Sequence, residues 1–378
     1  MEILGICILI ILGIFIEHKI YLSRVFPYVG YDCYFNTSEV FEGEQVEIIE
    51  TVTNPSFLPL ASLKSEITTS KYLDFAGNTS AVNDKTRSLA SLFSIPGKKR
   101  ITRCWNARCL RRGIYHIEDT TIIANDILGL YHYNTLVRIK SRLVVLPLPL
   151  VFSYSPTGHR ELQGNHVVKR FIVEDPFAIA GIREYTQRDS MNQIHWAMSA
   201  KYNELMVRSH ETTTEHTITL ILNMQLTKNQ LREEANDEKL ELGIRLAAGE
   251  LESTLSRSIP IKLMVNAPTV DNEISVISNE MWGYNHVHEL FVCLAGLKNT
   301  FTLPLDHFLK EHSSMITSPY VILITSFLDN ETALLIREKK QLGIHFTIYL
   351  IAYSSGREYF PDLEICYVLD HINGKKVC

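Results

Sequence analysis

Asp189, His195 and Ser199 are the residue types of a nucleophilic hydrolase: a carboxylate to orient, an imidazole to take a proton, a hydroxyl to attack. They fall in one stretch, residues 181–211, which packs charge, aromatics and a His-Trp pair together without a proline. His195 and Ser199 are four apart, the spacing of one helical turn, and no Gly-x-Ser-x-Gly elbow accompanies them. A structural use of the same residues is favoured. Between positions 169 and 211 six positive and six negative residues can pair with one another. Arg183 offers a carboxylate a bidentate partner, and Trp196 brings a large ring to bury, with His195 beside it to cap backbone groups. The expectation is a clasp joining neighbouring domains, with catalysis by Asp189, His195 and Ser199 as the lesser alternative.

Other candidate chemistry is sparse. Seven cysteines, an odd number, are scattered through the chain and make no disulfide framework. Cys104 and Cys109 flank a Trp-bearing segment but lack the two further ligands of a zinc site. His286 and His288 precede Glu289, yet a spacing of two on a helix points the rings apart. No metal and no cofactor is expected. A net charge of -5 leaves no excess of cations to neutralise phosphates, which argues against a dedicated nucleic-acid binder.

Positioning these residues takes several units, as 378 residues and 46% hydrophobic content imply. Residues 3–16 read "ILGICILIILGIFI", shorter than the ~20 residues that span a bilayer. Ile20, Tyr21, Leu22 and Val25 extend the run while Lys19 and Arg24 can snorkel. The cations follow the apolar run and no small-x-small site appears, so a retained anchor is favoured over a cleaved signal. The positive-inside tendency then puts the rest in the cytoplasm. From 28 to 149 short alternating segments broken at Asn54-Pro55 and Pro96-Gly97 predict an antiparallel β-sandwich. Pro147, Pro149, Pro156, Gly158 and Gly164 mark a boundary. From His216 onward, continuous apolar strands such as "HTITLILNM" alternate with amphipathic helices, which predicts a doubly wound α/β layer. The expected α+β multidomain chain is anchor 1–26, sandwich 27–150, linking segment 151–213 and α/β domain 214–378.

Residues 181–211 resemble the signature of the family called domain of unknown function 58. The matching residues are Gly181, Ile182, Arg183, Glu184 and Tyr185, then Asp189, Ile194, His195 and Trp196, then Ser199, Ala200 and Glu204 to Arg208. Upstream, Arg111-Arg112-Gly113, the segment 125–133 and "VLPLP" are similar to further family segments. Departures are Gln187-Arg188 before Asp189, Ala197 where a cation is usual, and Ile127 in place of a proline. The resemblance implies a C-terminal von Willebrand factor A-like domain. Metal-binding members end the first strand in Asp-x-Ser-x-Ser and a later strand in Asp, hard oxygen ligands for Mg²⁺. Here those positions hold Asn223, Gln225, Thr227 and Ser326, with Asp329 three residues on, too little negative charge for a dication. They are expected instead as polar contacts for a protein, alongside Arg183, Glu184, Tyr185, Asp189, His195, Trp196 and Arg208. The resemblance further implies a non-catalytic membrane scaffold working with a MoxR-type AAA ATPase in assembly or remodelling of complexes. An outward-facing adhesion or ligand-binding module is the alternative.

Overall fold

The computed structural model describes residues 2–75, 81–83, 85–151, 173–185, 194–202, 204–213, 217–231, 238–353 and 360–372. The chain opens with the helix Glu2–Ile20, whose side chains are almost all exposed. The span Ile3–Tyr28 is long and apolar enough to cross a membrane. Its last residues turn inward: Tyr21, Val25 and Phe26 are buried in the core of the following unit. Thus part of the segment expected to be anchor belongs to the sandwich core.

That unit is built from two larger sheets. One orders the strands Gly30–Phe35, Gln45–Asn54, Lys99–Cys109 and Leu73–Asp74; the other orders His132–Val137, Thr120–Asn125, Leu60–Ser70, Thr86–Ile95 and Ala81–Val82. All these neighbours are antiparallel, as the alternating sequence predicts. Ile48, Val52, Leu63, Ile67, Leu89 and Phe93 fill the space between.

A third sheet orders Glu39–Phe41, Arg142–Leu146 and Gly113–His116, and its first pair is parallel. Alternate residues of Arg142–Leu146 serve different cores. Leu143 and Val145 pack in the sandwich, whereas Val144 and Leu146 pack in the C-terminal unit. The two-residue period of a strand makes this division automatic. It explains why four consecutive residues are buried.

The C-terminal sheet orders Val276–Ile277, Ile261–Val265, Ile218–Leu222, Tyr320–Thr325, His345–Leu350 and Glu364–Tyr367. Only the short edge strand Val276–Ile277 is antiparallel to its neighbour. Ile218–Leu222 is buried throughout, as a two-sided apolar run requires. The helices Glu238–Arg257 and Tyr284–Gly296 pack Leu240, Ile244, Leu251, Leu290 and Leu294 on one face. Leu305–Glu311 and Asn330–Gln341 pack Phe308, Leu309, Ala333 and Ile336 on the other. Helices on both faces of a mainly parallel sheet make a three-layer α/β unit.

Candidate functional site

Three places invite a functional reading: the segment 181–211, the carboxyl-end rim of the parallel sheet, and the joint between the two units. In the first, Val173–Glu184 and Met206–Thr213 form a two-stranded antiparallel sheet of their own. Arg183 stands opposite Val207, Ile182 opposite Arg208 and Glu184 opposite Met206. Tyr185 donates its amide to Leu205 at 2.8 Å. His195 precedes the helix Trp196–Tyr202, and its Nδ1 accepts from the Met198 amide at 3.3 Å, a side-chain N-cap. Ser199 Oγ donates to the His195 carbonyl at 3.1 Å and accepts from the Met206 amide at 2.9 Å. Imidazole and hydroxyl are therefore each engaged with backbone rather than with one another.

Trp196 corrects an expectation. The residue is 69% exposed at the first position of this seven-residue helix. Asp189 lies outside the described residues, and for Arg183, Glu184 and Arg208 only the backbone is described.

At the sheet rim the expected contact residues bond to one another. Asn223 Nδ2 donates to Thr325 Oγ1 at 2.9 Å and to the Gln225 carbonyl at 3.2 Å. Its Oδ1 accepts from Asn266 Nδ2 at 2.8 Å, while Asn266 Oδ1 takes the Met224 amide at 2.7 Å. Gln225 donates to the Thr227 and Lys228 carbonyls and accepts the Leu305 amide at 3.1 Å. Asn223, Gln225, Asn266 and Ser326 are all buried, so Asn223 and Gln225 tie loops together instead of facing a partner. Thr227 is exposed.

Asp329 caps the helix Asn330–Gln341 by accepting the Thr332 amide at 2.9 Å. Lys228 Nζ lies 2.9 Å from its Oδ2 and 3.3 Å from Glu331. Burial raises the Asp329 carboxyl, but the bonds from Thr332 and Lys228 outweigh it and hold the group below its ordinary range. The Asp329 carboxylate of this rim is thus paired with the ammonium of Lys228.

The joint was not singled out as a site by the sequence. Arg112 is buried and reaches across from the sandwich unit. Its Nη1 donates to the carbonyls of Leu294, Ala295 and Leu297 at 3.0, 3.1 and 3.0 Å. Its Nη2 donates to Asn299 at 2.7 Å, and its Nε lies 3.0 Å from Glu241 Oε2. Arg111 adds a 2.6 Å contact to Glu241 Oε1, and Asn299 Nδ2 donates to the same oxygen at 3.0 Å. Burial pushes the Glu241 carboxyl up, yet Arg112, Arg111 and Asn299 more than offset it and hold it low. Burial holds the Arg112 guanidinium below its ordinary range against the pull of Glu241. Beside these residues lies a cavity of about 500 Å³, lined also by Lys71, Tyr72 and Lys85.

The weld continues along the helix Glu238–Arg257. Arg245 pairs with Glu42, and the Leu150 amide donates to the Arg245 carbonyl at 2.9 Å. A Cβ on Gly249 would lie 2.2 Å from the Leu150 carbonyl oxygen, so only glycine lets the strand-exit backbone lie this close. The sequence signal for the joint was Arg111-Arg112-Gly113, visible only as part of a resemblance.

No protein-family model matches the sequence, and no curated protein matches it. Among solved structures, similar chains include the sporulation control protein Spo0M of Bacillus subtilis (11% identity, 30% of this chain and 49% of that one, TM-score 0.17). A type II cohesin domain from the Acetivibrio cellulolyticus cellulosome is similar over 31% of this chain and 94% of its own, at 9% identity and TM-score 0.23. A CARDB domain from Pyrococcus furiosus, solved with di-metal ions, is similar at 13% identity over 30% of this chain and 96% of its own, TM-score 0.19. The chain spans about half the length of Spo0M. Likenesses this loose carry no argument about function.

Proposed function

We propose that the chain is a membrane-anchored, non-catalytic scaffold of the domain of unknown function 58 type, its folded units on the cytoplasmic side. The observation that carries this reading is the closure of the sheet rim. Open α/β sheets bind their ligands at the carboxyl ends of strands. Here Asn223, Asn266, Gln225 and Thr325 satisfy one another across that edge, and Lys228 neutralises Asp329. Such a rim favours recognition by the surrounding surface over metal-assisted turnover. Helices on both faces of a parallel sheet, with an antiparallel edge strand, support a degenerate von Willebrand factor A-like domain. The engagement of His195 and Ser199 with backbone supports a structural role for the signature segment.

The welded joint supports a scaffold in a second way, since a partner meets two units in one fixed arrangement. The partner proposed is a MoxR-type AAA ATPase, with assembly or remodelling of complexes at the membrane as the process. Cross-linking in native membranes under a non-hydrolysable ATP analogue, followed by purification of this chain, tests it. Recovery of an AAA ATPase is the expected result. Recovery of the chain alone, or tight stoichiometric magnesium uptake by calorimetry, would count against it.

A further inference from the structure

The anchor helix does not leave the sandwich through a loose linker. Tyr21 donates its hydroxyl to the Pro59 carbonyl at 2.7 Å, and the Phe26 ring stacks on Tyr133 at 5.1 Å. His18, one turn earlier, stacks on Tyr131 with ring centroids 3.7 Å apart. The end of the apolar helix is thereby held against one end of the sandwich.

Strand registers show what else lies at that end. Gly30, where the chain enters its first strand, pairs with Thr53, so the turn 55–59 begins beside it. Leu60 pairs with Ile95 and Asn54 with Lys99, which brings in the turn 96–98. Asn125 pairs with Ser62, which brings in the turn 126–131. Three turns therefore surround the helix exit.

These turns carry large apolar side chains into solvent. Phe57 is 82% exposed, and Ile127, Leu128 and Leu130 are each more than half exposed. They are also tied by hydrogen bonds and close backbone packing. Asp126 Oδ1 accepts the Leu130 amide at 2.9 Å and Gly129 takes a positive φ of 68°, which closes that turn. A Cβ on Gly97 would lie 2.2 Å from the Phe57 carbonyl oxygen, and the Lys98 amide donates to Ser56 at 2.8 Å. Lys98 Nζ then sits 3.6 Å over the Phe57 ring. Lys98, Lys99 and Arg100 are all exposed here, and Lys19 and Arg24 stand on the helix end. Hydrogen-bonded turns that expose apolar side chains beside cations are costly in water and suited to an interface with both an acyl and a phosphate layer.

We infer that this end of the sandwich seats in the headgroup layer of an anionic bilayer, with Phe57, Ile127, Leu128 and Leu130 in the apolar boundary and Lys98, Lys99 and Arg100 on lipid phosphates. The occupant is lipid rather than a protein because the surface is continuous with a helix long enough to span a membrane. The inference rests on that helix being the anchor. The sandwich is then a fixed pedestal, and the α/β unit stands at a set orientation to the membrane rather than on a tether.

The test uses the full chain in vesicles of phosphatidylcholine with or without phosphatidylserine. A fluorophore on Leu128→Cys, in a background with accessible native cysteines replaced by serine, is challenged with nitroxide lipids of known depth. A probe on native Cys7 reports the anchor, and one on Leu334→Cys, exposed on the α/β unit, reports background. The expected result is that Leu128→Cys loses most of its emission to a shallow nitroxide and Cys7 to a deep one. Adding phosphatidylserine deepens the first loss, and Lys98→Glu/Lys99→Glu/Arg100→Glu removes that increment. Quenching of Cys7 with Leu128→Cys at background overturns the inference and leaves the anchor intact. Absence of quenching at Cys7 overturns both. Quenching at Leu128→Cys that ignores phosphatidylserine and charge reversal overturns the anionic selectivity.

Discussion

Replacing Arg112 by alanine tests the joint most directly. The guanidinium caps the carbonyls of Leu294, Ala295 and Leu297 at the end of the helix Tyr284–Gly296, and it pairs with Glu241. Three buried carbonyls lose their donor, at about 1 kcal/mol each once partial rescue by water is allowed. Leaving a buried charge without its partner costs ~3–5 kcal/mol in general. Glu241 keeps Arg111 and Asn299, so its share falls below that range. Together Arg112→Ala is expected to destabilise by about 3–5 kcal/mol. The assay is urea unfolding of the full chain in detergent, followed by circular dichroism and tryptophan fluorescence. Because the residue bridges two cores, a single transition is expected to split, the C-terminal unit and the sandwich unfolding separately. The double variant Arg112→Ala/Glu241→Ala should cost less than the sum of the singles by about 1–3 kcal/mol. A loss under ~1 kcal/mol for Arg112→Ala, with one unbroken transition, would refute the reasoning, since it would mean the contacts add nothing over solvation.

Further outcomes follow from the same geometry. The Glu241 carboxyl is held below its ordinary range, so its contribution is complete above the unfolded carboxylate pKa of about 4.3 and disappears as pH falls through the lower folded value; Glu241→Gln should flatten that acid limb of the stability curve, and an unchanged limb argues against the pairing. Glu50, fully buried in the sandwich, accepts from Tyr31 at 2.9 Å, Ser91 at 2.6 Å, Trp105 at 3.2 Å and also Ser65, so Glu50→Leu strands four donors and should lose roughly 3–5 kcal/mol in denaturant titration; a neutral outcome would show the network to be dispensable. Burial pushes the thiols of Cys33, Cys109 and Cys366 up to about 12, so alkylation near pH 8 read by mass spectrometry should modify exposed Cys104 well before any of them. Gly249→Ala drives a methyl into the Leu150 carbonyl and is expected to lower stability by about 1–3 kcal/mol, with a wild-type melting curve as the contrary result.

How much was legible in the sequence depended on how local the signal was. The apolar run at residues 3–16, extended by Ile20, Tyr21, Leu22 and Val25, needs only composition to be read as a helix long enough to cross a membrane. "HTITLILNM" and the helical repeat at Leu240, Ile244, Ala247 and Leu251 announce a two-sided sheet with packed helices, because burial period follows backbone geometry. Alternation in Gln45–Asn54 likewise announces the sandwich. An amide at Asn223 and a hydroxyl at Ser326, where the resemblance would put carboxylates, argue from the sequence alone against a dication. Partners more than about a hundred positions apart were beyond reach. Nothing near Arg112 foretells the carbonyls of Leu294 and Leu297, and nothing near His18 foretells Tyr131. Trp196 was expected inside because large rings usually bury, but it opens a seven-residue helix and stands exposed. By itself, then, the sequence determined element types, the apolar faces and the amide side chains at the sheet rim, since these follow from side-chain identity and the 2- and 3.6-residue periods. The tertiary structure alone decided that Arg142–Leu146 divides its side chains between two cores, that the units are welded through Arg112, and that apolar turns ring the helix exit. Those outcomes depend on which distant surfaces meet when the chain closes, and periodicity carries no information about that.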